Sequence, residues 1–370
     1  MKVGIYTLGC KVNTYESEFV SSLLQNHGYE MCDFNDICDI YIVNTCTVTN
    51  TSDVKSRKII RQAKKRNPNA CVVAMGCFIQ ADKDNIIEEV DIAIGNKDKS
   101  KIVELIEKYL KDKERTIDLH DGFDDNFEDM FIEKYNNRTR AFVKIQDGCE
   151  NFCSYCIIPF VRGKCRSKEF SVAIKEIKTL VNNGFKEIVL TGIHTGNYGV
   201  DINTNFAELL REIGKIDGLC RLRISSIEFN ELTDEVLEFI KDNDVIVNHL
   251  HIPMQAASNN VLKLMNRKYN LEFFINRINK IKSIKNDISI TTDIIVGFPG
   301  ETEEDFNSGI EVIKKLGFAK LHVFPYSKRN GTKASLMEQI PEEIKKKRAR
   351  SLLQLSKELE FNYIKKHLER

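Results

Sequence analysis

The chain has no hydrophobic run long enough to cross a bilayer. Stretches such as Val72–Met75 and Ile294–Phe298 fall far short of the roughly 20 apolar residues a spanning helix needs. The amino terminus, MKVGIYTLGC, lacks the apolar core of a secretory signal and reads as a strand. These absences predict a cytoplasmic protein with no membrane partner. Nor does charge of one sign dominate: 55 Lys and Arg face 54 Asp and Glu, for a net +1. No overall field draws the chain onto nucleic acid, so any such contact falls to local basic clusters. Internal repeats and low-complexity tracts are also lacking. What is present is an ordinary globular composition, 42% hydrophobic and 29% charged over 370 residues, enough for two or three domains. Against that background stand 11 cysteines. In a cytosolic chain such a number points to metal or redox chemistry rather than disulfides.

Apolar runs alternate with amphipathic stretches from the start. Strands are expected at Val3–Leu8, Ile40–Val43, Cys71–Met75 and Asp91–Ile94, with helices at Glu16–Asn26, Val54–Lys65 and Lys101–Leu110. The alternation implies βαβ units and an open, mostly parallel sheet over residues 1–112. Residues 113–139, with the acidic DLHDGFDDNFEDMF, read as a linker. A second series over residues 140–340 has strands at Ala141–Gln146, Glu187–Thr191, Arg221–Ser225, Asn248–Ile252, Ser289–Ile294 and Lys320–Phe324. Six β/α units fall short of the eight of a closed barrel, so a partial (β/α)6 barrel is expected. Thr302 and Asp305 offer a capping box after the fifth strand. Residues 341–370 read as one charged helix with Leu352, Leu353, Leu355 and Leu359 on its buried stripe.

Just past the first strand of the second series lies GCENFCSYCIIPFVRGKCRS. Cys149, Cys153 and Cys156 give C-x3-C-x2-C. Soft thiolates select zinc, copper(I) or iron–sulfur centres. Structural zinc wants four closed ligands, and no fourth is evident: Cys165 is nine residues on and no His is near. Three thiolates suit a cubane with one open iron, in a loop at the end of a barrel strand where active sites sit. In the first series, Cys10, Cys46 and Cys77 each follow a predicted parallel strand. Such strand ends share the ligand-binding edge of an open α/β sheet. The trio reads either as a second cluster site or as small buried hydrophobes; Gly9 and Gly76 permit close approach. Cys32, Cys38, Cys71 and Cys220 read as structural.

The motifs TLGCKVN, NTCTVTNTSDVKSR, GCENFCSYC, LTGIHTGNYG, RLRISSIE, HLHIPMQ, DIIVGFPGETEEDF and HVFPYSKRNGT together resemble the methylthiotransferase family of radical S-adenosylmethionine (SAM) enzymes, over almost the whole chain. The wording around the first two cysteines looks most like the branch acting on threonylcarbamoyladenosine in tRNA. The resemblance implies two [4Fe–4S] clusters: one on Cys149, Cys153 and Cys156 that cleaves SAM, and an auxiliary one on Cys10, Cys46 and Cys77 that carries or supplies sulfur. It implies abstraction of hydrogen from C2 of the adenine and delivery of a methylthio group to that carbon. An electron donor and a sulfur source are implied partners beside tRNA. An aromatic C–H offers no handle to ordinary acid–base catalysis, in keeping with radical chemistry.

By the same resemblance Tyr155 lies near the SAM adenine, and Thr191 and Gly192 near its methionine amino group. Ser226, Glu228, Gln255, Asp293, Val296 and Gly297 end later barrel strands and are expected at the same mouth. Departures are Gln255-Ala256-Ala257-Ser258, where the family often has Gln-Ser-Gly-Ser, and Phe78, where Tyr is common. Candidate RNA contacts are Lys55, Arg57, Lys58 and Arg61 on the basic helix after Cys46, then Arg162, Lys164, Arg166, Lys328 and Arg329. The bland alternative is a solvated charged face. The family usually continues into a small RNA-binding β-barrel, the TRAM domain, expected to be absent from this chain. Alternative functions are methylthiolation of isopentenyl-adenosine tRNA or of a ribosomal protein, and a non-catalytic zinc or RNA-binding module.

Overall fold

A computed structural model describes residues 1–119, 126–135, 138–285 and 287–368; parts of the expected linker, 120–125 and 136–137, lie outside them. Two compact units emerge: residues 1–150, 157–193 and 198–204 form unit 1, and 151–156, 194–197 and 205–370 form unit 2.

Unit 1 starts with β1 (Lys2–Thr7), α1 (Lys11–Asn26), β2 (Glu30–Cys32), β3 (Ile40–Thr45), α2 (Asn50–Arg66), β4 (Cys71–Gly76), α3 (Cys77–Ala81), β5 (Ile92–Ile94), α4 (Ile102–Asp112) and β6 (Thr116–Asp118). The strands form one parallel sheet in the order β2-β1-β3-β4-β5-β6. Every residue of β3 and β4 is buried, as expected of strands covered on both faces. The order reverses between β1 and β3, the switch point at which doubly wound sheets bind ligands beyond the carboxyl ends of their strands. Helix α2 is fixed at its start by Thr49, whose side chain accepts from the Ser52 amide, and by Asp53. Its last turn carries Lys64, Lys65 and Arg66, matching the helix dipole at both ends.

Two strands of this sheet had no sequence signal, β2 and β6. Each has only three residues and lies at a sheet edge, too short to display a period. Beyond β6, Met130, Ile132 and Tyr135 are buried, so the described part of the expected linker supplies core.

Unit 1 continues with β7 (Ala141–Lys144), β8 (Gln146–Asp147), α5 (Ile158–Arg162), β9 (Arg166–Ser167), α6 (Phe170–Asn182) and β10 (Glu187–Thr191). β7 pairs parallel with β10. The compact units therefore do not divide at residues 112 and 140. Buried polar contacts explain this: Lys144 and Arg162 reach Glu16 of α1 at 2.8 and 3.0 Å. Tyr15 of α1 also donates to Glu176 of α6 at 2.8 Å.

Unit 2 holds α7 (Phe206–Ile213), β11 (Arg221–Ile224), α8 (Asp234–Asp242), β12 (His249–His251), α9 (Asn259–Leu264), α10 (Leu271–Ile284), β13 (Ser289–Val296), α11 (Glu303–Leu316), β14 (Lys320–Pro325) and α12 (Glu342–Leu368). β12, β13 and β14 are parallel neighbours. Along the chain, a strand stands at each of the six positions expected for the second series. The capping box of α11 is present: Thr302 accepts from the Asp305 amide and Asp305 from the Thr302 amide, both at 3.0 Å. On α12, Leu352 and Leu355 are buried, but Leu353 faces solvent, as its position between them on the helix requires.

Candidate active site

Cys10 stands at the start of α1, Cys46 just past β3 and Cys77 just past β4, so all three cap strands around the switch point. They converge. A Cβ on Gly9, beside Cys10, would come within 3.0 Å of the Cys46 sulfur. Gly9 and Gly76 adopt φ of 95° and 99°, left-handed backbone that favours glycine. The Cys46 thiol is pushed up to about 11 by burial; the Val48 amide opposes this, and negative charge on Cys77 and Cys10 would add to it. Cys10 in turn lies close enough to Arg162 and Cys77 to feel the charge of each. Cys46 and Cys77 are buried and Cys10 is exposed; three neighbouring thiols of this kind are a soft donor set that fits a metal centre.

Arg162 lies at the heart of this region. It is fully buried; its Nε donates to the Cys77 sulfur at 3.3 Å and its Nη2 to Asn13 Oδ1 at 2.9 Å. Its Nη1 meets Glu16 and Asp147, both at 3.0 Å. Burial disfavours its charge, but Asp147 and the other anions outweigh that and hold it firmly charged. This corrects its assignment to RNA contact, and Arg166 and Arg329 are corrected likewise, being 6% and 8% exposed. In VRGKCRS the alternating cations resemble a phosphate-tracking run, but only Lys164 of the three faces outward. Lys55, Lys58, Arg61 and Lys328 are exposed, and Arg57 is half-buried against Asp82 at 2.7 Å.

The loop cysteines are all half-buried. In unit 1 the Cys149 amide donates to Gly163 O at 3.0 Å, and in unit 2 the Cys156 amide to Cys153 O at 2.9 Å. Within unit 2, Cys153 borders a cavity of about 250 Å³ lined also by Asn151, His194, Glu228, Glu231 and Arg267. Arg267 Nη1 donates to the Cys153 sulfur at 3.3 Å, its Nε reaches Tyr269 Oη at 3.2 Å, and its Nη2 is paired with Glu228. His194 pairs with Glu231. Burial pushes the Glu231 carboxyl up and the His194 contact pulls it down, leaving it raised. Such a buried carboxyl–imidazole pair can hold a proton beside a substrate.

The remaining sequence candidates divide. Glu228 lines the cavity, and Ser226 is half-buried two residues before it. Tyr155 packs with Ala256, Val261 and Phe298, meeting the Phe298 ring edge-on at 6.5 Å. Gln255 has φ 65° and joins β13 through the Asp293 carbonyl at 2.8 Å. Asp293 accepts from His251 at 3.2 Å. It alternates with Val296 across β13, so their side chains occupy opposite faces, against the expectation that both line one mouth. Gly297 has φ 67°, and a Cβ there would meet Lys345 of α12 at 2.4 Å, so both backbone and packing favour glycine. In unit 1, Thr191 is buried at the end of β10, and Gly192 abuts Gln146.

Arg267, Tyr269, Asn151 and Glu231 were not anticipated. The sequence signal was the polar NRKY run after α9, which has the density of side chains a site uses but no fixed spacing. Among the described residues no three His, Cys, Asp or Glu, the two cysteine trios included, stand close enough together to hold a single metal ion.

Residues 143–313 match the Radical SAM superfamily, and residues 2–95 match an uncharacterized protein family, UPF0004. The radical SAM methyltransferase TsrM of Kitasatospora setae, solved with cobalamin and a [4Fe-4S] cluster, superposes with a TM-score of 0.66 at 14% identity. That match covers 90% of this chain and 77% of that one and speaks to fold alone. Fold and cysteine loop together define a radical SAM enzyme. The threonylcarbamoyladenosine tRNA methylthiotransferase MtaB of Bacillus subtilis is 47% identical over 98% of this chain and 81% of its own length. The Aquifex aeolicus protein of the same name is 39% identical over 99% and 90%. The tRNA-2-methylthio-N(6)-dimethylallyladenosine synthase of Clostridium tetani is 40% identical over 95% and 80%. The chain belongs to the methylthiotransferase family of radical SAM enzymes.

Proposed function

We propose that this protein converts N6-threonylcarbamoyladenosine in tRNA, beside the anticodon, to its 2-methylthio derivative. The observation that carries the reading is the convergence of Cys10, Cys46 and Cys77 at the switch point of the unit 1 sheet. A generic SAM-cleaving enzyme has no need of a second thiol trio. Identity of 47% to the Bacillus subtilis relative, against 40% to the dimethylallyladenosine synthase of Clostridium tetani, favours the threonylcarbamoyl substrate.

In this reading Cys149, Cys153 and Cys156 hold one [4Fe–4S] cluster, and Cys10, Cys46 and Cys77 hold the other. When bound, SAM and the clusters supply the radical, the methyl group and the sulfur. The chain's own residues bind and orient. Arg267 and Arg162 each donate to a ligand sulfur. Glu228, His194 and Glu231 offer polar contacts to whatever enters the cavity beside Cys153. On the SAM side, Tyr155, Ser226, Gln255 and Asp293 of unit 2 shape the site through ring packing and backbone, whereas Val296 turns to the other face of β13 and Gly297 accommodates α12. Residues 1–112 form the auxiliary-cluster domain and 140–340 the SAM barrel, with 113–139 between them and 341–370 as a closing helix. Lys55, Lys58, Arg61, Lys164 and Lys328 meet tRNA phosphates. The reaction takes place in the cytoplasm and draws on an electron donor and a sulfur source.

Nucleoside mass spectrometry of tRNA from a strain lacking the gene tests this. The methylthio mark on threonylcarbamoyladenosine is expected to vanish and to return on complementation. Its persistence, with loss of methylthio-dimethylallyladenosine instead, would transfer the assignment to that substrate.

A further inference from the structure

The most unusual feature of unit 1 is a charged cluster sealed from water. Glu16 and Asp147 face Arg162, Lys144 and Lys99, all between 0% and 3% exposed. Burying five charges is costly, and a well-packed apolar substitute commonly serves stability as well or better. Such a cluster therefore calls for a reason beyond folding. Its geometry supplies one. Lys144 reaches Glu16 at 2.8 Å and Asp147 at 2.6 Å, and Lys99 reaches Glu16 at 3.5 Å. Those contacts fix the two carboxylates, which fix the Arg162 guanidinium through Nη1. Asn13 holds Nη2. Every contact orients one remaining group, the Nε–H, which points at Cys77 Sγ from 3.3 Å. A second donor, Asn96 Nδ2, lies 3.5 Å from the same sulfur and is itself held by the Val161 carbonyl at 2.8 Å. Neither Cys10 nor Cys46 shows a guanidinium at its sulfur among the described residues.

We propose that Arg162 is a positioning residue that sets the reduction potential of the iron–sulfur cluster on Cys10, Cys46 and Cys77, acting through its hydrogen bond to Cys77. The inference rests on the auxiliary-cluster reading above. The chemistry is that of sulfur hydrogen bonds in general. Adding one electron makes the cluster more negative and its thiolate sulfurs better acceptors. A donor locked in place thus favours the reduced form and raises the potential. Because Glu16 and Asp147 offset most of the local positive charge, the directed N–H rather than net charge carries the effect. Arg162 lies six residues past Cys156 in the chain, so the segment that follows the SAM-cluster cysteines also tunes the second cluster.

The test uses the full chain with Cys149, Cys153 and Cys156 changed to Ala, reconstituted anaerobically so that only the auxiliary cluster forms. About four irons per chain are expected; a parent without iron would sink the auxiliary-cluster reading itself. With iron present, the midpoint potential is measured by EPR-monitored titration in Arg162→Lys, which keeps the charge and loses the Nε fork, and in Arg162→Gln. Both are expected to fall by the equivalent of about tenfold in the one-electron equilibrium, 59 mV. Unchanged potentials would overturn the proposal. So would a folded variant that loses its irons, because Arg162 would then be scaffold for the loop. Should neither variant fold, 15N-arginine labelling of the parent decides: pulsed EPR of the reduced cluster is expected to show a guanidinium 15N coupling, and its absence would refute the assignment.

Discussion

Arg267 donates from Nη1 to the Cys153 sulfur at 3.3 Å, with Glu228 bound to the other end of its guanidinium. In unit 1 Arg162 stands in the same relation to Cys77, with Glu16 and Asp147 in the role of Glu228. One cysteine of each trio thus has a carboxylate-anchored arginine at its sulfur.

Outer partners of metal ligands commonly contribute 10- to 100-fold to function. Arg267→Gln should therefore lower the rate of 5′-deoxyadenosine formation by roughly that factor while iron content stays near the wild-type value. Iron assay and chromatography of the quenched reaction check both halves.

Cys46→Ala separates the two trios. SAM cleavage should continue, because Cys149, Cys153 and Cys156 are intact, and methylthio transfer to tRNA should stop. Parallel quantification of 5′-deoxyadenosine and of the modified nucleoside reads this directly. Equal loss of both activities would argue for one shared centre.

The buried ion cluster sets the stability of unit 1. Glu16→Gln removes the carboxylate that pairs with Arg162, Lys144 and Lys99. Removing one partner of a buried pair costs about 3–5 kcal/mol, so the denaturant midpoint should fall accordingly. A shift under about 1 kcal/mol would mean that water reaches the cluster.

Alkaline pH acts through Cys71, buried in β4. Burial, reinforced by Asp91, pushes its thiol up to about 12. In the unfolded chain the same thiol ionises from about pH 8.5, so the unfolded state loses its proton first. The contribution to stability is whole below that pH and declines as pH rises toward the folded value, by about 1.4 kcal/mol per unit. In Cys71→Ala the decline between about pH 9 and 11 should be shallower by about one proton's worth, as measured by denaturation at several pH values.

Lys55, Lys58 and Lys65 are three of the four exposed basic residues on α2, Arg61 being the fourth. Changing all three to Gln should weaken tRNA binding and flatten its salt dependence by about 0.7–0.9 in log–log slope for each phosphate that is no longer neutralised. Titrations at several salt concentrations measure both.

Much of this was legible in the sequence because strand ends announce themselves. Cys10, Cys46 and Cys77 follow apolar runs, and parallel-strand topology brings such ends to one edge whatever lies between. The loop Cys149–Cys156 declares itself by spacing. What stayed hidden is long-range polar pairing. Glu16 sits on a helix with ordinary amphipathic spacing, and nothing local marks it as the partner of Lys144 and Arg162, more than a hundred residues on. For the same reason Arg162 and Arg166 read as surface charge, although the fold buries them. Glu231 and Arg267 gave little signal for the same reason, since their partners His194 and Glu228 lie more than thirty residues away in the chain.

Iron and acid-labile sulfide per chain after anaerobic reconstitution test the central claim most directly. The account predicts about eight irons in the wild-type protein and about four when Cys10, Cys46 and Cys77 are replaced together by Ala. About four in both would contradict it.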